Sequence, residues 1–239
     1  MDDPIFDSYA PMIEHWDSVT RVSPNVFPGC QLYKDVFAGT PELAWTAIVV
    51  SVDNLAALLK LYGHESLEFH ESATFSIARA PILAASTACW LLAPDKYQGR
   101  VSRGLSLLEE NLRSIEKFSA PLRDERERTT LELQRHIADE RTRIANCWER
   151  IGRSAVKKPD DTWIIDSVAR VLEQQKRCDH RQVLGLWRLC SGHAHAMRWA
   201  LKMPNPEDPR TAMNHLMGVG TSITLAAFEL WESRTSVTT

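Results

Sequence analysis

The residues of this chain best suited to chemistry lie together near position 190, in the run GLWRLCSGHAHAMRWALK. On a helix turning about 100° per residue, Arg188, Ser191 and His195 fall on one side, continued by Arg198, Trp199 and Lys202. An imidazole two turns from a guanidinium is a proton-transfer group beside an anion clamp. Adjacent positive charge favours a neutral, basic imidazole, and arginine grips a phosphate through paired donors. The plainer reading of the same residues is a surface or interface side on which His195 stacks on Trp199 or bonds to Ser191. His193 and His195 project about 160° apart, so one unbroken helix does not offer both to a single metal ion. His193 shares an apolar arc with Leu186, Leu189, Ala196 and Ala200, and reads first as a core histidine. Val183, Trp187, Cys190, Ala194, Met197 and Leu201 form the adjoining core-facing arc.

The spacings R-x4-H, Arg188 to His193, and R-x6-H, Arg188 to His195, resemble the signature of HEPN-type helical bundles. Many of those are toxin or antiphage ribonucleases that act as dimers. The resemblance implies that Arg and His of two protomers converge on an RNA backbone and promote attack by the ribose 2′-hydroxyl without a metal. The histidine would move a proton and the arginine would stabilise charge on phosphorus. On that reading Arg188, Ser191 and His195 are the catalytic candidates, and Arg198, Trp199, His193 and Arg79 are binding candidates. RNA or a nucleotide and a second copy of the chain are the expected partners, with no cofactor. One departure stands out: Leu189 follows the motif arginine, where active members often carry a polar residue. The chain is also similar to a broad group of bacterial helical proteins without an assigned activity. That likeness rests on Ala84–Leu92 followed by Pro94-Asp95, on Arg100 and Arg103, on Pro159–Thr162, and on Trp187, Ser191 and His195.

The elements that must position these residues read as helices throughout, an all-α bundle of about seven helices. Residues 1–39, broken by Pro4, Pro11, Pro24, Pro28 and Gly29, read as an irregular arm. Its Trp16, Val26, Phe27 and Phe37 suit packing on the body. Thr40-Pro41-Glu42 supplies a capping hydroxyl, a first-turn proline and an acid for a helix to about Tyr62. Further helices are expected over about 70–93, where Pro81 should kink or restart the chain, and over 97–118. A charged segment, 121–151, carries a narrow stripe of Leu133, Ile137, Ile144, Trp148 and Ile151. It protrudes, pairs with a partner, or lies on the surface held by one edge. Its charges read as a solvated face laced with i,i+4 pairs. After a basic loop, 152–159, which is the best internal boundary, come helices over 163–176, 180–202 and 210–232. Residues 40–232 read as a single helical domain, and 233–239 as a frayed tail.

Bulk properties narrow the function. The 239 residues carry a formal net charge of -3, which gives no bulk attraction to nucleic acid or an anionic membrane. Five scattered cysteines without a C-x-x-C pair suggest free thiols in a reducing, cytoplasmic setting. The acidic, proline-bearing N-terminus is unlike a signal peptide. Two stretches, 43–62 and 73–93, are long enough to span a bilayer, but Asp53 and Asn54, and Arg79 and Pro81, interrupt them. Buried core helices explain both better than membrane spans.

Other chemistry finds little support. His64, Glu65, Glu68, His70 and Glu71 cluster without H-E-x-x-H spacing. No phosphate loop, dinucleotide fingerprint or nucleophile elbow occurs. Arg79, within an apolar helix, needs a partner, and Asp53 is the nearest candidate. Two further functions stay open. One is a non-catalytic interaction protein working through 121–151 or the His195 side. The other is a small-molecule binder with a pocket near Trp45, Trp90 or Trp187.

Overall fold

Apolar side chains at helical spacing build one large cluster and one small one. The computed structural model describes residues 4–22, 24–62, 70–120, 128–202 and 209–236, and among these it is helical without a strand. In chain order come α1 (Pro4–Thr20), a 3₁₀ helix (Gln31–Ala38), α2 (Thr40–Tyr62), α3 (Glu71–Leu92) and α4 (Tyr97–Ser119). Then follow α5 (Arg128–Arg150), α6 (Asp161–Gln174), α7 (His180–Ala194), α8 (Arg198–Lys202) and α9 (Pro209–Thr235). The all-α expectation holds. The count among the described residues is ten helices rather than about seven.

Two of the extra helices come from the N-terminal stretch, whose prolines argued for irregular chain. Pro4 takes the first position of α1, where a missing N–H is harmless. Pro11 lies on the exposed side, while Ile13 and Trp16 are buried on the other. Trp16 stacks on Phe228 of α9, with ring centroids 5.3 Å apart. Burying two such side chains contributes roughly 1.5–3 kcal/mol each, enough to offset the ~3 kcal/mol that proline costs inside a helix. Trp16 thus fastens the arm to the body as its composition suggested, but Phe27 is exposed. Pro81 likewise stays inside an unbroken α3.

α3 is the centre of the large cluster, packed by α2, α9, α7 and α6. Its Ala78, Ala85, Ser86 and Ala88 are buried, and small side chains there admit neighbouring helices closely. The Ser51 hydroxyl lies 2.7 Å from the Thr224 hydroxyl and 3.3 Å from the Pro81 carbonyl, linking α2, α9 and α3. α2 and α3 are both long and apolar enough to cross a membrane by length and composition. In the fold, Ile48, Val52, Leu55 and Leu58 of α2 and Phe75, Ile82, Leu91 and Leu92 of α3 are buried core residues. The Thr40 hydroxyl does not cap α2. It is buried without a partner among the described residues, beneath Gly104, where a Cβ would lie 2.3 Å from it.

The small cluster joins α4 and α5 with Ala38. It settles how the charged helix is held. Ile137, Ile144 and Trp148 are buried, and Trp148 Nε1 donates to Glu109 of α4 at 2.8 Å. The segment is therefore held by one edge, with its charges facing solvent. Residues 153–160 carry the chain back from this cluster to α6 and the large one.

Three arginines bind the two clusters at the end of α3. Arg100 is fully buried. Its Nε donates to Asp35 at 2.5 Å, and its other donors reach Asp35, Gln31, Pro94 and Asp95. Arg234 donates to the Leu92 and Ala93 carbonyls and to Asp95, and Arg103 to the Trp90 carbonyl. The last carbonyls of a helix lack intrahelical partners and form its negative end, so guanidinium donors serve both needs.

Candidate functional site

α7 starts at Asp179, whose carboxylate accepts from the amides of Arg181 and Gln182, an N-cap favoured by the helix dipole. Buried Val183, Trp187 and Cys190 fix the helix about its axis, and Trp187 Nε1 donates to Thr162 at the head of α6. With that side fixed, Arg188 and His195 face solvent and Ser191 is half-buried between them.

The helix ends one residue before His195, which corrects the expected single helix over 180–202. The Met197 amide donates to the Gly192 carbonyl at 2.8 Å and the Ala196 amide to the His193 carbonyl at 3.0 Å. Ala196 sits at φ 50°. This is the Schellman pairing, with alanine in the left-handed position that glycine usually fills. Left-handed backbone costs an alanine about 1–2 kcal/mol. The His195 amide still donates to the Ser191 carbonyl at 3.1 Å. Its Cα therefore remains on the helical cylinder, and its side chain keeps the phase of Arg188 and Ser191.

Beyond the turn, α8 folds back on α7. A Cβ at Gly192 would lie 2.7 Å from Ala200 Cβ and 2.8 Å from Trp199 Cζ2, so the glycine is what lets α8 lie so close. Trp199 rests its ring edge there and leaves 52% of its surface exposed. His195 does not stack on it. Arg198 is exposed beside it.

The other two binding candidates lie elsewhere. His193 is buried, its ring stacked on Phe75 of α3 at 4.6 Å. Its Nδ1 is 3.3 Å from the Ser72 hydroxyl, and its Nε2, which has no hydrogen-bond partner among the described residues, lies 3.9 Å from the Glu71 carboxylate. The structure thus brings the R-x6-H pair to one side and turns the R-x4-H histidine into the core. Arg79 is half-buried, with its guanidinium 4.7 Å from the Trp187 ring. It is held on the core-facing side of α7, away from Arg188. Asp53, its expected partner, is exposed, and a cation–π contact takes the place of the ion pair.

Residues 180–202 include Arg181, Arg188, Arg198 and Lys202 and no acidic residue. Among the described residues, the side chains of Arg188, His195 and Arg198 make no ion pair or hydrogen bond. Elsewhere arginines are paired, as Arg170 is with Asp166 and Arg143 with Glu140. The outward side of α7 and α8 is therefore locally cationic on a chain that is acidic overall, with a half-exposed indole set into it. Such a surface attracts anions and offers a ring for stacking. Burial pushes the thiols of Cys89 and Cys190 up to about 12, so neither is a nucleophile near neutrality. No group of three or more His, Cys, Asp or Glu among the described residues is arranged to hold a metal. His64, Glu65 and Glu68 lie outside the described residues. Searches against family models, curated proteins and solved structures find no match for this chain.

Proposed function

We propose that this chain is a HEPN-like cytoplasmic protein that engages RNA through the outward side of α7 and α8, as a metal-independent ribonuclease or as an RNA-binding protein of the toxin or defence type. The observation that carries the reading is that Arg188 and Arg198, with His195, have no side-chain partner among the described residues and stand on a segment without acidic residues, beside half-exposed Trp199. Arginines hold backbone phosphates, and an exposed indole stacks on unpaired bases. In the ribonuclease form, neutral His195 takes the proton from a ribose 2′-hydroxyl. The 2′-oxygen attacks phosphorus, the 5′-oxygen leaves with a proton from a second acid, and a cyclic phosphate remains. Arg188 stabilises the charge gathering on the phosphoryl oxygens. The side as it stands supplies one histidine for two proton transfers, so the reading calls for a dimer that brings two copies of α7 together.

Incubation of single-stranded RNA with the purified chain and a chelator tests this. Wild type should leave cyclic-phosphate ends, and His195→Ala should lose the activity while still binding. Equal degradation by both proteins would dismiss the ribonuclease form, and absence of RNA binding by either would dismiss the whole reading.

A second reading draws on Met197, Trp199 and Leu201, each about half-exposed around α8. That surface suits association with another protein or a second copy without catalysis. It predicts that Trp199→Ala and Leu201→Ala disturb self-association while Arg188→Ala does not.

A further inference from the structure

A cleft of about 500 Å³ opens between α3, α4, α6 and α9, with no residue of α7 in its lining. Its size is that of small-molecule sites. Trp90 and Trp163 line it, and Trp163 and Val171, on one side of α6, each leave 50% of their surface to water. The polar groups are fewer. Arg177 and Glu229 pair with each other at 2.5 Å. Arg103, half-buried, lies with its guanidinium 5.3 Å from the Trp90 ring and donates to the Trp90 carbonyl.

Arg103 is the anomaly. A guanidinium carries five N–H donors, and among the described residues that carbonyl is its sole acceptor. The other two arginines at the end of α3 each reach a carboxylate; Arg103 reaches none. Burial pushes its pKa down, the sign of a charge held partly out of water without a counter-ion. Its remaining donors open on the cleft, where an acidic group could take them. A planar guanidinium held over one indole, in a cleft that a second indole also lines, is suited to a ligand that is flat and acidic.

We propose that this cleft binds a small aromatic anion, its acidic group taken by Arg103 and its ring laid against Trp90 and Trp163. The site is independent of the α7 reading, sharing none of its residues.

The test is a fluorescence titration of the full chain with anilinonaphthalene sulfonate, a dye that carries both features. About one dye should bind per chain, and Arg103→Met should weaken it about tenfold or more, as expected for loss of a charge-assisted hydrogen bond. Phenylnaphthylamine, which keeps the rings and lacks the sulfonate, should bind wild type and Arg103→Met alike, and Trp163→Ala should weaken both dyes. Equal sulfonate affinity in wild type and Arg103→Met, or no saturable binding, would overturn the proposal. Ser167→Phe fills the cleft from α6 and leaves Arg103 in place. It serves if Arg103→Met does not fold: loss of dye supports the site, and retention at wild-type affinity refutes it.

Discussion

Gly192→Ala sets two energies against each other on one helix. In a helix interior alanine is about 1 kcal/mol better than glycine, so the change alone should stabilise α7. At this position the new Cβ meets Ala200 at 2.7 Å and Trp199 at 2.8 Å, and overpacking of this kind costs about 1–3 kcal/mol. The strain wins by roughly 1 kcal/mol at mid-range, which for a chain of this size lowers Tm by about 2–4 °C. α8 has five residues and packs chiefly on α7, so it should lift away before the core yields. Gly185 is the control. It is exposed on the same helix and its Cβ would meet nothing within 4 Å, so Gly185→Ala should raise Tm by about 2–4 °C. Thermal melts of both variants, with hydrogen exchange read over 196–202, make the comparison. A Gly192→Ala protein that gains stability in step with Gly185→Ala, its α8 amides still protected, would refute the packing described here.

Ala196→Gly relieves the left-handed turn and should stabilise by about 1 kcal/mol in a urea melt; a loss would mean that the Schellman turn is not formed. Arg100→Met leaves the Asp35 carboxylate buried without its partner and should cost about 3–5 kcal/mol. Adding Asp35→Asn should recover part of that in the urea midpoint, and no recovery would argue against the pair. With their thiols pushed up to about 12, Cys89 and Cys190 expose about one thiolate in ten thousand at pH 8. Mass spectrometry after alkylation should find them modified only when denaturant is present, and rapid native labelling would contradict their burial.

The side of α7 is legible because burial follows the 3.6-residue period through Val183, Trp187 and Cys190, whereas Ala194, Met197 and Leu201 of the same expected arc are exposed, because the helix breaks there. The break after Ala194 was not legible, since the left-handed residue is Ala196 and no glycine marks the stop. α1 was hidden by Pro4 and Pro11, whose local cost is offset by Trp16 meeting Phe228 more than two hundred positions away. The Arg100–Asp35 pair joins residues 65 apart in sequence, and nothing local in either residue marks it as half of a buried ion pair. Arg79, within an apolar helix, meets an aromatic ring instead of Asp53, and its Nε is buried without a hydrogen bond among the described residues. That the partner is the face of Trp187 follows only from how α3 crosses α7. Arg103 carries only the family likeness and Trp163 only a helix start; neither points to the cleft, because an arginine's lack of a carboxylate is a property of the assembled surface.

Binding of end-labelled single-stranded RNA, followed across a range of salt, tests the central claim most directly. An Arg188→Ala, Arg198→Ala double variant should bind about tenfold or more weakly at low salt, with a log–log salt slope shallower by about 1.4 for two lost phosphate contacts. Removing Arg135 and Arg141 from α5 should leave both affinity and slope as in wild type. Equal losses from α5 and α7, or an α7 variant that binds like wild type, would contradict the account.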